Sequence, residues 1–168
     1  MNNDYPVLNG VAPSWADIII RATPEGAPLL DIKDIAAINT NTAVEVGNQY
    51  GASGGRLIRR TTGQVSYEAS MTLYRSGYQK FIRGLKVAAE TAGFVRGNQV
   101  LISLVHFGIQ VQHTPINDVE IYEYRIKGCR FLGRDLNGAE GTDADQVEVA
   151  LNPIEIVDMI DGKEVACI

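Results

Sequence analysis

Gln64-Val65-Ser66-Tyr67-Glu68-Ala69-Ser70-Met71-Thr72-Leu73-Tyr74 alternates between apolar and polar side chains without a break. Successive Cβ atoms of a strand point to opposite faces, so Val65, Tyr67, Ala69, Met71 and Leu73 share one side and Gln64, Ser66, Glu68, Ser70 and Thr72 the other. A period of two over eleven residues predicts a half-buried antiparallel strand. The pattern changes immediately afterwards. Ser76-Gly77-Tyr78-Gln79 has the form of a capping box, and Tyr78, Phe81, Ile82, Leu85, Ala89 and Ala92 then recur at helical spacing up to Gly93, which suits a left-handed helix end. The reading is a strand feeding an amphipathic helix over 77–92.

Further along, period two returns. Residues 100–111 are nearly continuously apolar and β-branched, which predicts a strand covered on both faces over its first half. Residues 119–127 place Tyr122, Tyr124 and Ile126 opposite Glu123, Arg125 and Lys127, and pair with 100–111 as a hairpin with a long connection. Val147, Val149 and Leu151 alternate with polar neighbours up to Asn152-Pro153, and Asp161-Gly162, suited to a type I′ turn, closes a last hairpin. One helix among six or seven strands predicts a mainly β fold, an antiparallel β-sandwich or barrel with a flanking helix.

No repeat or low-complexity linker divides the 168 residues, so a single domain spanning 1–168 is expected, with a loose amino-terminal arm over 1–12. Hydrophobic residues make up 45% and charged residues 21%, ordinary for a globular domain that buries its own core without disulfides or metal. The apolar runs near residues 18–20 and 100–107 are far shorter than the roughly 20 residues that cross a bilayer as a helix. No membrane role is expected. The first residues lack a basic start followed by an apolar core, so no secretory signal and cytoplasmic synthesis are expected. Cys129 and Cys167 are 38 residues apart with no Cys-x-x-Cys unit, which reads as idle or buried thiols.

Charge is unevenly distributed. Residues 56–86 hold seven basic side chains against Glu68, whereas residues 135–168 hold nine acids against Lys163, in a chain of net charge −5. The acidic whole argues against a nucleic-acid reader, although a basic-patch binder would give salt-sensitive affinity. Opposite charge in two parts of one chain suits either solvated faces or self-association through two different surfaces.

No catalytic constellation is evident. The glycine-rich run at 47–56 lacks the Gly-Lys-Ser/Thr ending of a phosphate loop, and no Gly-x-Ser-x-Gly elbow is present. His106 falls in an apolar stretch, where a satisfied structural histidine is expected. Asp143 and Asp145 lack calcium-loop spacing. No catalytic residue, cofactor or metal is assigned, and a non-enzymatic protein is expected. The remaining oddity is residues 39–63, rich in Asn, Thr and Gly yet holding Val44, Val46, Tyr50, Leu57 and Ile58 and ending near Arg59-Arg60. A loop of that length is expected to be functional, an arm that orders against a partner; an internal hairpin extension that folds back on its own domain is the alternative.

The run Gly54-Gly55-Arg56-Leu57-Ile58-Arg59-Arg60-Thr61-Thr62-Gly63 continuing through residue 78 resembles the tube proteins of contractile bacteriophage tails. A second, supporting match is Leu151-Asn152-Pro153-Ile154-Glu155 onward through Val165. The resemblance implies two antiparallel sheets wrapped toward a barrel and flanked by a helix, a fold shared with type VI secretion tubes. It also implies six subunits per ring, rings stacked into a hollow tube inside a contractile sheath, and passage of the genome through the lumen. Partners implied are further copies, the sheath, baseplate and terminator proteins, with the virion tail as location and assembly in the host cytoplasm. The implied stacking contact covers Val44, Val46, Tyr50, Arg56, Leu57, Ile58, Arg59, Arg60 and Thr62. From the residues themselves, Gln64, Ser66, Glu68, Ser70 and Thr72 suit a lumen wall that does not hold DNA, being small and carrying one acid. Asp143, Asp145, Asp158, Asp161 and Glu164 are the candidate acids for Arg56, Arg59 and Arg60 of an adjacent ring. Rivals are the tube of a phage-tail-like bacteriocin or secretion system and, more distantly, a small β-barrel ligand-binding protein or flavin enzyme.

Overall fold

A computed structural model describes residues 18–25, 27–32, 34–50, 57–113, 122–137 and 145–166. The strands are β1 (Ile18–Pro24), β2 (Leu30–Ile32), β3 (Ile35–Tyr50), β4 (Leu57–Tyr74), β5 (Val95–Arg96), β6 (Gln99–Val100), β7 (Phe107–His113), β8 (Tyr122–Asn137), β9 (Gln146–Asn152), β10 (Glu155–Ile160) and β11 (Lys163–Ala166). One helix, α1 (Arg75–Thr91), follows β4 directly. The strand path β2-β1-β7-β8-β9-β4-β3 is antiparallel throughout and does not close, with β10 and β11 added beside β8. The architecture is the sandwich alternative rather than a closed barrel.

Strand β8 belongs to both halves of the sandwich. Its first half lies between β7 and β10, from Tyr122 opposite His113 to Lys127 opposite Glu155. Its second half pairs with β9, from Arg130 opposite Asn152 to Asn137 opposite Gln146. The corner between them is built on Gly128, at φ +61. Opposite it, the Ile154 N–H donates to the Lys127 carbonyl at 2.9 Å. A Cβ on Gly128 would sit 2.6 Å from Ile154 Cδ1, so the glycine supplies both the left-handed backbone and the space. Gly128→Ala is expected to cost about 2 kcal/mol, mostly from the left-handed backbone, lowering the unfolding midpoint by roughly 4–8 °C. A thermal melt followed by circular dichroism checks it.

The alternation in β4 holds as expected. Ala69, Met71 and Leu73 are buried with Val65 and Tyr67 half-buried on the same side, and Gln64, Ser66 and Glu68 are exposed. Met71 and Leu73 join Phe81, Leu85, Ala88 and Ala89 of α1, Phe107, Ile109 and Val111 of β7, Ile126 and Cys129 of β8, and Val147, Val149 and Leu151 of β9 in one core. The rings of Phe81 and Phe107 meet edge to face at its centre, centroids 5.5 Å apart. Cys129 is fully buried, and burial pushes its thiol up to about 12.

Several expectations need correction. The helix begins at Arg75 and ends at Thr91, and Ser76 caps nothing: its hydroxyl donates to Asp34 Oδ2 at 2.8 Å, and Tyr74 is the residue before the first turn. The tertiary partner on the preceding strand connection outcompetes the local cap. The carboxyl end behaves as expected, with Gly93 at φ +77 and the Phe94 N–H returning to the Ala89 carbonyl at 2.8 Å. Residues 100–111 are not one strand. Val100 ends the short β5–β6 hairpin, Ile102–Leu104 forms a 3-10 turn, and β7 starts at Phe107. Continuous hydrophobicity there reflects packing of a turn beneath α1, which periodicity does not separate from a buried strand. The hairpin partner β8 is longer than expected, reaching Asn137.

Residues 39–63 are not a structureless loop. They form most of a β-hairpin, with β3 and β4 paired from Ile35 opposite Leu73 to Tyr50 opposite Leu57. The alternative of a hairpin extension describes their local structure. The expected amino-terminal arm over 1–12, Arg56, Asp143 and Cys167 lie outside the described residues.

Candidate assembly surface

The β3–β4 hairpin leaves the body of the protein. On its inner side β4 is paired to β9 only between Ala69 opposite Leu151 and Tyr74 opposite Gln146. From Ala69 out to Leu57 the two strands have each other as their hydrogen-bonded neighbours and no third strand among the described residues. Twelve residues at about 3.3 Å each give an arm of roughly 40 Å.

Chain chemistry shapes this arm. Register shifts between Val44 and Val46 and between Gln49 and Tyr50 each insert an extra residue in β4. At the first of these a Cβ on Gly63 would lie 3.0 Å from the Glu45 carbonyl oxygen, so glycine permits the close approach. Val44, Val46 and Tyr50 fall on one side of β3, with Val65 and Leu57 opposite Val44 and Tyr50, and Arg60 opposite Asn48 on that same side. Val46, Tyr50 and Leu57 are 56%, 64% and 42% exposed. An isolated two-stranded ribbon is marginal in water, and this one carries an apolar stripe with no core beneath it among the described residues. Ile58 and Thr62 belong to β4 in the same stretch, and Arg59 and Arg60 are exposed on it. None of the ion pairs among the described residues involves Arg59 or Arg60.

The opposite face of the same sheet is smooth and polar. Gln64, Ser66, Glu68, Ser70 and Thr72 line up along β4, with Ala43 opposite Ser66, Asn41 opposite Glu68 and Asn39 opposite Ser70 on β3. On the other side Ala150 and Glu148 of β9 stand opposite Ser70 and Thr72, and Asp135 of β8 stands opposite Glu148. Sequence reading found the β4 row and missed Asn39, Asn41, Glu148 and Asp135. The Glu148 position was available from the alternation around Val147 and Val149; Asp135 was not, because its strand was not expected to reach that far. Directly opposed carboxylates such as Asp135 and Glu148 lower sheet stability, so their presence on one face is not a folding requirement.

The candidate acids divide into two groups. Asp145 accepts from Arg75 at 2.7 Å, closing the start of α1 onto β9. Glu164 pairs with Lys127 and with Arg125, and the Lys127 hydrogen bond holds its carboxyl below the usual range. Asp158 accepts from the Tyr122 hydroxyl at 3.2 Å, and Asp161 occupies the β10–β11 turn at φ +51, as expected for Asp-Gly. His106 accepts from Arg130 Nε at 2.7 Å, a structural role. A cleft of about 240 Å³ between β2 and α1 is lined by Leu29, Leu30, Ile32 and Phe81 with Asp31 and Lys80. No group of three metal-ligating side chains occurs among the described residues, and no described helix is long and apolar enough to cross a membrane.

No protein-family model matches the chain, and no curated protein matches it in sequence. Solved structures do match in shape, among them a tail tube and a tube cap. A chain of the anti-feeding prophage tube-terminating cap superposes with a TM-score of 0.58 at 10% identity, covering 94% of this chain and 97% of that one. The SPP1 tail tube gives 0.58 at 12% identity over 94% and 82% of the two chains. A chain of the PVC sheath-tube complex, an extracellular contractile injection system in its extended state, gives 0.55 at 11% over 97% and 95%. The protein therefore has the fold of the tail-tube group, over nearly its whole length.

Proposed function

We propose that the chain is a structural protein that polymerises with itself, as stacked hexameric rings, into the inner tube of a contractile phage tail. The observation that carries this reading is the β3–β4 arm, an apolar and basic ribbon that pairs with no third strand among the described residues. Within a ring, the open edge of β3 and the open edge of the second half of β8 are the two ends of one four-stranded half-sheet, available for joining subunits edge to edge. Between rings, Val44, Val46, Tyr50, Arg56, Leu57, Ile58, Arg59, Arg60 and Thr62 form the stacking contact. The polar row Gln64, Ser66, Glu68, Ser70 and Thr72 faces the lumen, where a row with one acid and no cation of its own releases no counterions from DNA and lets it slide. Sheath, baseplate and terminator proteins are the further partners, and the virion tail the location. Negative-stain electron microscopy of concentrated protein is expected to show hollow rings or tubes of uniform diameter. A monodisperse monomer that never assembles, even on purified baseplates, overturns the reading.

A second reading, favoured by the anti-feeding prophage and PVC neighbours, is the tube of a headless injection particle, whose lumen carries no genome. Particles purified from the source separate the two by the presence of an attached, DNA-filled capsid. For the phage tube, Glu68→Lys, Ser70→Lys and Thr72→Lys together are expected to leave tubes intact and to slow DNA release in an ejection assay. Unchanged release removes this face from the lumen.

A further inference from the structure

Strand β3 is an edge without defences. Over Ile35–Ala43 it carries neither a charged residue nor a proline, and β4 is its one partner strand among the described residues. A long edge of that kind is a template for a further strand, which sheet proteins ordinarily blunt with charge, proline or shortness. The edges of the other half-sheet are blunted. β2 is three residues long with Asp31 at its centre, and β11 is four residues long and carries Lys163 and Glu164. The second half of β8, Arg130–Asn137, matches the open stretch of β3 in length, with β9 on one side and no strand on the other among the described residues. There Leu136 lies on the core face opposite Val147 yet is 58% exposed, and Leu132 in the adjoining bulge is 63% exposed.

We infer that Ile35–Ala43 of one subunit pairs antiparallel with Arg130–Asn137 of a second copy, and that Leu136 is the side chain that seals the join. The inference rests on the tube reading and takes it from two available edges to a direction, a register and a specificity-determining residue. Direction follows from topology. The order β8-β9-β4-β3 is antiparallel at each step, so β8 and β3 run oppositely, and rotation about a ring axis carries β8 beside the neighbour's β3 without reversing it. Register follows from the two faces. At the β3 edge Ile35 and Ile38 are half-buried against the core, and Asn39 and Asn41 lie on the polar face. At the β8 edge Phe131 and Leu136 lie on the core face, and Gly133 and Asp135 on the polar one. A slip of one residue sets apolar against polar, so the register moves only in whole steps that keep the faces together. The subunit's own rows put Leu136 level with Ile35, through Val147 and Leu73, so Leu136 packs on Ile35 or, one step along, on Ile38. Asp135, opposed by Glu148 on its own sheet, then has the Asn39 amide of the neighbour as its diagonal or direct partner.

The test links the two edges covalently. In a Cys167→Ser background, with Cys129 buried, Asn39→Cys and Asp135→Cys are combined, both at exposed positions of the polar face, and the assembled protein is treated with a short bismaleimide, which spans an opposite or a diagonal pair. A control combines Asn39→Cys with Val87→Cys, exposed on α1 beyond the core face. The expected result is a ladder of covalent multimers that stops at one closed size, and none from the control. In parallel, Leu136→Asp turns a charge into the join and is expected to lower pelletable polymer about tenfold with the subunit's melting temperature unchanged, whereas Leu136→Met keeps the polymer. Tubes that grow without a ladder, a ladder from the control, or a ladder that runs on past any closed size overturns the join while leaving the tube reading standing. A closed ladder without stacked tubes in the electron microscope supports the join and overturns the tube reading; neither ladder nor assembly overturns both. Parental polymer from Leu136→Asp removes Leu136 from the join, and a lowered melting temperature places it in the subunit's own core instead.

Discussion

Arg59→Glu combined with Arg60→Glu is expected to abolish the proposed tube growth while the subunit melts at its original temperature. The folded subunit makes no use of these two charges that the described structure records: both are exposed on the arm, and the ion pairs among the described residues lie elsewhere, at Arg75, Lys80, Lys86, Arg125 and Lys127. Surface substitutions of this kind usually stay within about 0.5 kcal/mol of the parent. Assembly has different stakes. Each reversal turns an attraction into a like-charge contact in an interface, which costs several kcal/mol. That penalty recurs at every subunit of every ring. Sedimentation and electron microscopy read the polymer, and circular dichroism reads the fold. Normal tubes from the double variant remove the arm's charges from the stacking contact; a lowered melting temperature places them in the subunit's own stability.

Much of the fold was legible because period-two alternation and caps are local. In β9 the alternating residues are buried and exposed as their order requires, in β4 Ala69, Met71 and Leu73 are buried with half-buried Ser70 and Thr72 between them, the Asp161-Gly162 turn has both residues at positive φ, and Gly93 ends α1. The misreadings share a physical cause, which is a distant partner. Ser76 has the right neighbours for a cap, yet Asp34, 42 residues away, takes its hydroxyl. The stretch after Val100 has strand composition, yet Ile102–Leu104 forms a 3-10 turn rather than a strand. The arm's composition read as a loop that orders against a partner, and its Asn, Thr and Gly content concealed that it is paired strand. Its polar face was legible for one strand at a time. That the row from Gln64 to Thr72 continues onto Asn39, Asn41, Glu148 and Asp135 follows from register, which no single strand contains.

Phe81→Ala is the substitution expected to damage the subunit most, and its consequence for assembly runs opposite to that of the arginines. Phe81 is 1% exposed, stacks edge to face on Phe107, and lies where α1 crosses the core strands. Removing a buried aromatic ring costs about 3–5 kcal/mol, because the lost transfer energy is compounded by a cavity the neighbours fill only partly. A domain of this size has about 5–15 kcal/mol in total, so the variant retains a fraction of its stability. Denaturant titration is expected to show a midpoint shifted down with the slope unchanged. The arm is untouched, so at temperatures where the variant is folded the proposed tubes are expected to form, and their interface then to stabilise the weakened subunit by mass action. The expected signature is a melting temperature that rises with protein concentration more steeply than in the parent. A variant that is folded at low concentration yet forms no tubes would instead mean that α1 sets the geometry of the arm as well as holding the core.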